Sequence, residues 1–460
     1  MCCEPADGSV SVASYYAKCS EWLIGVVCFD GDSAPDCCGL GGYETRGYNK
    51  VMDWIYLDNN ATTMPAEPVT QAMLEMSQSG WANPSSVHRF GQSVRQRLEL
   101  ARTQVARLIG GRPAELIFTS GGTEANNLAV LGLINPAGAP SAIITTQVEH
   151  SAVHGPVDFL DRQGCVVVKL PTDIDGLVDS NQLEQAIKDV AGAEALPANI
   201  LITIQWANNE TGTIQDMEGI SDAIQRARDW TDRQQIRTKI VFHVDATQAV
   251  GKLLVDVQAM NLDMLTLASH KFHGPKGVGV LWLRTGIRLK AQQKGGPQER
   301  ERRAGTENTI GIVGMGVAAD LARAFVGDAD GIERLRGLRD HFERSVLEKL
   351  NDVSTEPLAV VNCVGAERLW NTTNIAFRGL EAEAILVGLS EKGVCASAGA
   401  ACSSGSLEAS PVLRAMGIAE PLAHGSVRFS LSRYTTEAEI EDAIETVVAV
   451  VTRLQRTMPI

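Results

Sequence analysis

Ser269-His270-Lys271 follows the apolar run Met264 to Ala268 and precedes Gly274-Pro275-Lys276-Gly277-Val278-Gly279, which puts an amine at a strand end among glycines. Backbone approaches a ligand closely where side chains are absent. A lysine stripped of water in such a place loses basicity and becomes a nucleophile able to form a Schiff base with an aldehyde cofactor; on this motif alone a solvated surface lysine is the alternative. Asp245, in His243-Val244-Asp245-Ala246-Thr247-Gln248, ends the apolar strand ahead of that lysine. Ligands of open α/β sheets bind along the carboxyl edge, and a pyridine ring there needs a carboxylate to keep its nitrogen protonated; the competing reading is a helix N-cap. Gln248, three residues on, is placed to meet a ring hydroxyl. Leu116-Ile117-Phe118-Thr119-Ser120-Gly121-Gly122-Thr123 reads as strand, glycine turn and helix start. Unpaired N–H groups and the positive end of the helix dipole suit a phosphate there, and without a Walker lysine a nucleotide P-loop is disfavoured.

The thiol with the most suggestive neighbourhood is Cys402, set in Ser397 to Ser406 among serine, glycine and alanine. Small residues offer little bulk to anchor a rigid core, so a mobile loop carrying the thiol is expected. A thiolate is a strong nucleophile, and an unperturbed thiol is only partly ionised at neutral pH, so a nearby base is needed. Of the ten cysteines, six precede residue 50, and the other four are scattered, a pattern of free thiols in a reducing cytoplasm.

The elements that must position these groups alternate short apolar strands with amphipathic helices, the pattern of an α/β fold on a largely parallel sheet. Strands are predicted at 54–58, 116–119, 142–145, 166–168, 200–204 and 240–244, and helices at 92–109 and 182–190. After about residue 320 long helices surround short strands at 373–377 and 427–431, as in a smaller α+β domain. Residues 1–51, rich in Gly, Cys and acidic residues, read as an appendage, with a natural start expected at Met52. No stretch is expected to cross a bilayer. A formal net charge of −14 argues against sequence-independent binding of nucleic acid.

The separate clues form one ordered set. Tyr56-Leu57-Asp58-Asn59-Asn60-Ala61-Thr62-Thr63, Asn83-Pro84-Ser85-Ser86-Val87-His88, Thr119 to Asn127, Glu149-His150, Asn208-Asn209-Glu210-Thr211-Gly212, Asp245 to Gln248, His270-Lys271, Arg303-Ala304-Gly305-Thr306-Glu307-Asn308 and Ser397 to Gly405 resemble, in order, the cysteine desulfurases of the class V aminotransferase family, in particular the nitrogen-fixation and housekeeping iron–sulfur type. The resemblance runs from about residue 55 to the C-terminus and implies the pyridoxal 5'-phosphate (PLP)-dependent transferase fold type I. Residues 52–68 would open a small domain, 69–325 form the large PLP-binding domain and 326–460 complete the small one.

The resemblance implies that Lys271 carries PLP as a Schiff base, Asp245 pairs with the ring nitrogen, Gln248 and Asn209 meet ring substituents, and His150 lies over the ring as a proton shuttle. Gly122, Thr123, Ser269 and His270 match phosphate contacts, and Thr306 matches one given by the neighbouring subunit of a homodimer. Ala268 stands where many relatives have a serine, and Ala82 where a glycine is frequent. Arg428 and Asn83 match substrate contacts, whereas Arg433 reads as a structural or surface charge. The implied reaction takes sulfur from L-cysteine, gives L-alanine and leaves a persulfide on Cys402. That persulfide serves an iron–sulfur scaffold or another acceptor, including tRNA thiolation, and Cys402 is expected as a metal ligand only transiently, in a cluster shared with the scaffold. Selenocysteine lyase, aminotransferase and kynureninase chemistry are the rivals on the same scaffold, and an inactive sulfur-delivery partner is the rival of another class.

Overall fold

Seven strands, six of them buried at every residue or at every residue after the first, build the centre of the protein, and burial on both faces is why they read in sequence as short unbroken apolar runs. The computed structural model describes residues 54–134, 140–194, 196–351, 356–398 and 409–457; the segment 1–51 and Cys402 lie outside them. In chain order the strands are β1 (Ile55–Tyr56), β2 (Leu116–Thr119), β3 (Ser141–Thr146), β4 (Val166–Leu170), β5 (Asn199–Gln205), β6 (Lys239–Asp245), β7 (Met264–Ala268), β8 (Gly279–Leu283), β9 (Ala359–Val361), β10 (Thr372–Phe377), β11 (Val394–Cys395) and β12 (Ser426–Ser430).

The central sheet has the order β2-β8-β7-β6-β5-β3-β4, and β8 alone runs against its neighbours. The carboxyl ends of β2, β3, β5, β6 and β7 therefore share one edge, where ligands of such sheets bind. β9, β10 and β12 form a separate antiparallel sheet, packed with the helices Ala329–Asn351, Ala382–Ser390 and Glu437–Thr457 around a second apolar core that includes Leu57. From Met52 onward the chain is one compact unit.

Local sequence explains the helices. Ser180–Ala191 starts at Asp179, whose carboxylate accepts from the Asn181 and Gln182 amides, and it buries Leu183, Ile187 and Ala191, a spacing of four that keeps them on one face. Arg89–Leu108 starts three residues before the predicted helix because His88 Nδ1 accepts from the Gly91 amide and caps it. Gly122–Leu133 starts straight after β2, and the turn needs bare backbone: a Cβ on Gly279 would fall 2.4 Å from the Gly121 carbonyl carbon.

Three expectations are corrected. The strand predicted at 54–58 shrinks to Ile55–Tyr56, because it pairs there with the two-residue β11 and keeps beyond it a single bridge from Asp58 to Ser430. Asp245 caps no helix; a turn follows it, and its Oδ1 accepts from the Thr247 amide. The helix Thr309–Val326 does reach membrane-spanning length and a mean hydropathy of 1.5, but half of it is buried against the helices Glu67–Ser79 and Arg89–Leu108, which accounts for its apolar character.

Candidate active site

A cavity of ≈ 510 Å³ opens along the carboxyl edge of the central sheet. Its wall takes Gly122 and Thr123 from after β2, Glu149 and His150 from after β3, Asn209 from after β5, Asp245 and Gln248 from β6 and its turn, and His270 and Lys271 from after β7; Arg428 of β12 closes it from the other sheet. The structure thus brings together nine of the sequence-predicted site residues. Asn83 and Thr306 are exposed and lie off this wall. Ser269 is also off it: Ala268 faces the cavity, and Ser269 is fully buried beneath Gly274. At the end of a strand successive side chains point to opposite sides, so one residue of offset removes the hydroxyl from the wall.

Asp245 is buried, and Asn126 Nδ2 donates to its Oδ2 at 2.7 Å. That bond fixes the carboxylate plane and leaves its edge available to a cationic ring N–H. Asn126 lies one helical turn beyond Gly122, a spacing in the sequence that could have flagged it. Thr247 Oγ1 and Glu149 Oε2 are buried on the wall without a hydrogen-bond partner, so the cavity has polar groups to satisfy. A Cβ on Gly122 would come within 3.2 Å of Thr247 Oγ1, so the glycine keeps the helix N-terminus open to an anion.

Lys271 Nζ donates to the main-chain carbonyls of Asn60 at 2.6 Å and Ala61 at 2.9 Å. This pair of acceptors, from the Asn59-Asn60-Ala61 turn, escaped sequence reading because carbonyls leave no mark on residue type. Arg428 is buried, with Nη2 on Asp58 Oδ1 at 2.6 Å and Nη1 on the Asn209 carbonyl at 3.0 Å, while its Nε is unpartnered. Asp58 thus compensates a buried guanidinium and orients its fork.

The histidines are neutral here. Burial, reinforced by Lys271 and Lys276, pulls His270 down to about 4, so its ring stays uncharged at neutral pH. Burial also lowers His150, whose Nδ1 accepts from the Ala152 amide at the start of the helix Ser151–Arg162. The proton of that ring therefore sits on Nε2. His150 is thus a hydrogen-bond donor through Nε2, and it takes up a proton on Nδ1 only by giving up its cap.

Glu149 is buried, and loss of hydration raises its carboxyl to about 8 despite hydrogen bonds from Thr146 Oγ1 and the Gln205 amide; the Asp245 charge pushes the same way. Such a group ionises in the unfolded chain near its ordinary value of 4.5 but stays protonated in the folded protein up to about 8, so it lowers stability as pH rises through that window. Between about pH 5 and pH 8, Glu149→Gln is expected to lose less unfolding free energy than the unsubstituted protein, by on the order of a few kcal/mol in urea titrations.

A family description, aminotransferase class-V, matches residues 55–442. The chain is 44% identical over 408 residues to cysteine desulfurase 2 of Trichormus variabilis, covering 89% of this chain and 96% of that protein. A solved structure of a NifS-like protein superposes with a TM-score of 0.75 at 29% identity, covering 87% of this chain and all of that one, 100%. The structure titled SspA in complex with cysteine superposes with a TM-score of 0.67 at 31% identity, over 83% of this chain and 99% of that one.

Proposed function

The chain belongs to the cysteine desulfurases of the aminotransferase class-V family, and we propose that it withdraws sulfur from L-cysteine with PLP, releasing L-alanine and leaving a persulfide on Cys402. What carries the reading is the meeting, in one cavity, of an amine at Lys271, a carboxylate at Asp245 and a helix N-terminus at Gly122–Thr123, with the Arg428 guanidinium opposite. The unsatisfied Thr247 hydroxyl and the open face of Gly122 suit a phosphate, and the bound Asp245 carboxylate suits a ring nitrogen, so the residues present fit PLP.

When bound, PLP offers an aldehyde to the amine of Lys271 or of the substrate and a protonated ring that draws electrons from the substrate's α-carbon. Asp245 holds the ring proton. Gly122, Thr123 and His270 take the phosphate, and Gln248 and Asn209 the ring substituents. Arg428 binds the substrate carboxylate through its planar fork. Lys271 moves the α-proton, and His150 supplies a proton from Nε2. The thiolate of Cys402 takes the sulfur.

The chain leaves the described residues after Ala398 and returns at Ala409, and both flanks are tied to the cavity. Ser397 pairs with Arg428 through two main-chain bonds, and Ser410 Oγ donates to Glu210 Oε2 at 2.6 Å beside Pro411 and Val412 on the wall. We assign Thr306, exposed and off the wall of its own chain, to the cavity of a second copy in a homodimer. The acceptor of the persulfide is an iron–sulfur scaffold or another sulfur-accepting protein, in whose complex Cys402 is a transient cluster ligand. A reducing cytoplasm suits the free thiols of Cys165, Cys363 and Cys395.

Protein reconstituted with PLP and given L-cysteine under dithiothreitol is expected to form alanine and sulfide in equal amounts. Cysteine consumed without alanine would overturn the reading. Arg428→Gln, which keeps most of the volume but not the charge, is expected to raise KM for L-cysteine at least about 30-fold, because it removes a buried charged partner. Steady-state kinetics beside a thermal melt check that the loss is in binding rather than folding.

A further inference from the structure

Lys252 sits in the turn after β6, only 5% exposed, and among the described residues no carboxylate pairs with its amine. Its Nζ donates to two side-chain amide oxygens instead, Asn60 Oδ1 at 2.9 Å and Gln248 Oε1 at 2.5 Å. Burial pushes its ammonium well below the usual lysine range, and the charges of Lys271 and Arg428 push it further. An amine with two donors already satisfied needs no third acceptor once it is neutral, and both of its partners line the cavity.

Asn60, 1% exposed, is where the network converges. Its side-chain oxygen accepts from Lys252 and from Asn371 Nδ2, its side-chain nitrogen donates to the Asn209 carbonyl and to Thr372 Oγ1, and its main-chain carbonyl accepts from Lys271 Nζ and Gln248 Nε2. Gln248 is therefore held at both ends of its amide, by Lys252 on the oxygen and by Asn60 on the nitrogen. A Met of similar length would fill the same space without the cost of a buried amine, but it could not join these two residues.

We propose that Lys252 is a positioning residue: its amine clamps Asn60 to Gln248 and, through the Asn60 main-chain carbonyl, fixes where the Lys271 amine sits. The inference rests on the reading of Lys271 as the residue that bonds the cofactor. Lys252 acts at one remove, through Asn60, whose side-chain oxygen it holds and whose main-chain carbonyl accepts from Lys271 Nζ.

The test uses the full-length apoprotein, pyridoxal 5'-phosphate, borohydride reduction and peptide mapping, with the rate of trapping on Lys271 followed against pH. In Lys252→Met the two carbonyls lose their alignment. The plateau rate is expected to fall about tenfold or more. The midpoint of the pH profile is expected to drop by about half a unit, because carbonyl acceptors favour the ammonium form of Lys271. A plateau and midpoint matching the unsubstituted protein overturn the proposal, and so does a midpoint that rises at an unchanged plateau, since that reports a charge effect alone. Should Lys252→Met fail to fold, Lys252→Gln replaces it, its amide able to donate to the neighbouring oxygens but too short to join both: a plateau lowered severalfold supports the clamp, and a plateau matching the unsubstituted protein overturns it. Absence of trapping on Lys271 in the unsubstituted protein sinks the reading of the site itself and is thereby told apart from failure of the clamp.

Discussion

Replacing Lys271 by alanine is expected to abolish turnover of L-cysteine, by at least about a thousandfold, and to remove the visible absorbance of a cofactor bonded to lysine. The size of the effect follows from the amine serving twice, as the nucleophile that receives the aldehyde and as the group that moves the α-proton. The fold is expected to survive. Lys271 lies at the end of a short turn after β7, and of the two carbonyls it holds, that of Asn60 keeps a second donor in Gln248 Nε2 at 3.0 Å. Lys271→Arg separates charge from chemistry: a guanidinium keeps the positive charge but stays protonated and forms no Schiff base. Both variants should melt close to the parent protein, and Lys271→Arg should be as inactive as Lys271→Ala. Turnover retained by either one would remove Lys271 from the reaction.

Cys402→Ser is expected to cut sulfide release from L-cysteine at least about a hundredfold while cofactor uptake and its absorbance stay intact. A serine hydroxyl is a far weaker nucleophile than a thiolate and stores no sulfur as a persulfide. The groups proposed to hold cofactor and substrate carboxylate, Lys271, Asp245, Gly122, Thr123 and Arg428, all belong to other elements, so binding and sulfur transfer should separate in this variant. Mass spectrometry after one turnover should find an added sulfur on Cys402 in the parent and none in the variant. Full sulfide release by Cys402→Ser would take the persulfide off this residue.

Apolar runs ending at Thr119, Asp245 and Ala268 were legible as strands, and Gly122, Asp245 and Lys271 were legible as strand-end groups, because a strand buried on both faces is written in a few consecutive residues and its end is written as a turn. One position was misjudged: Ser269 is displaced from the wall by the alternation of side chains at the end of β7, and the alanine beside it faces the cavity instead. The run Glu299, Arg300 and Glu301, all with positive φ, left no sequence signal, as no glycine marks it. It holds through Glu299, whose carboxylate takes both Nη atoms of Arg102 and the Phe118 amide. That loop leads to Arg303, paired with Glu124 beside Gly122 and Thr123.

The sequence by itself determined which side chains end the strands of an α/β sheet, and hence that an amine, a carboxylate and a helix N-terminus would lie along one edge. It also determined, through ordered motifs, the family to which the chain belongs. Tertiary structure alone decided what those groups lean on. Lys271 finds its carbonyls 211 and 210 residues away along the chain, Arg428 finds Asp58 370 residues away, and Lys252 becomes a buried clamp only when the turn after β6 and the Asn59-Asn60-Ala61 turn pack together. The physical reason is that strand ends are set by local hydrophobic pattern, whereas a buried polar group must be satisfied by whatever donor or acceptor the packing brings to it, and that partner is encoded nowhere near it in the chain.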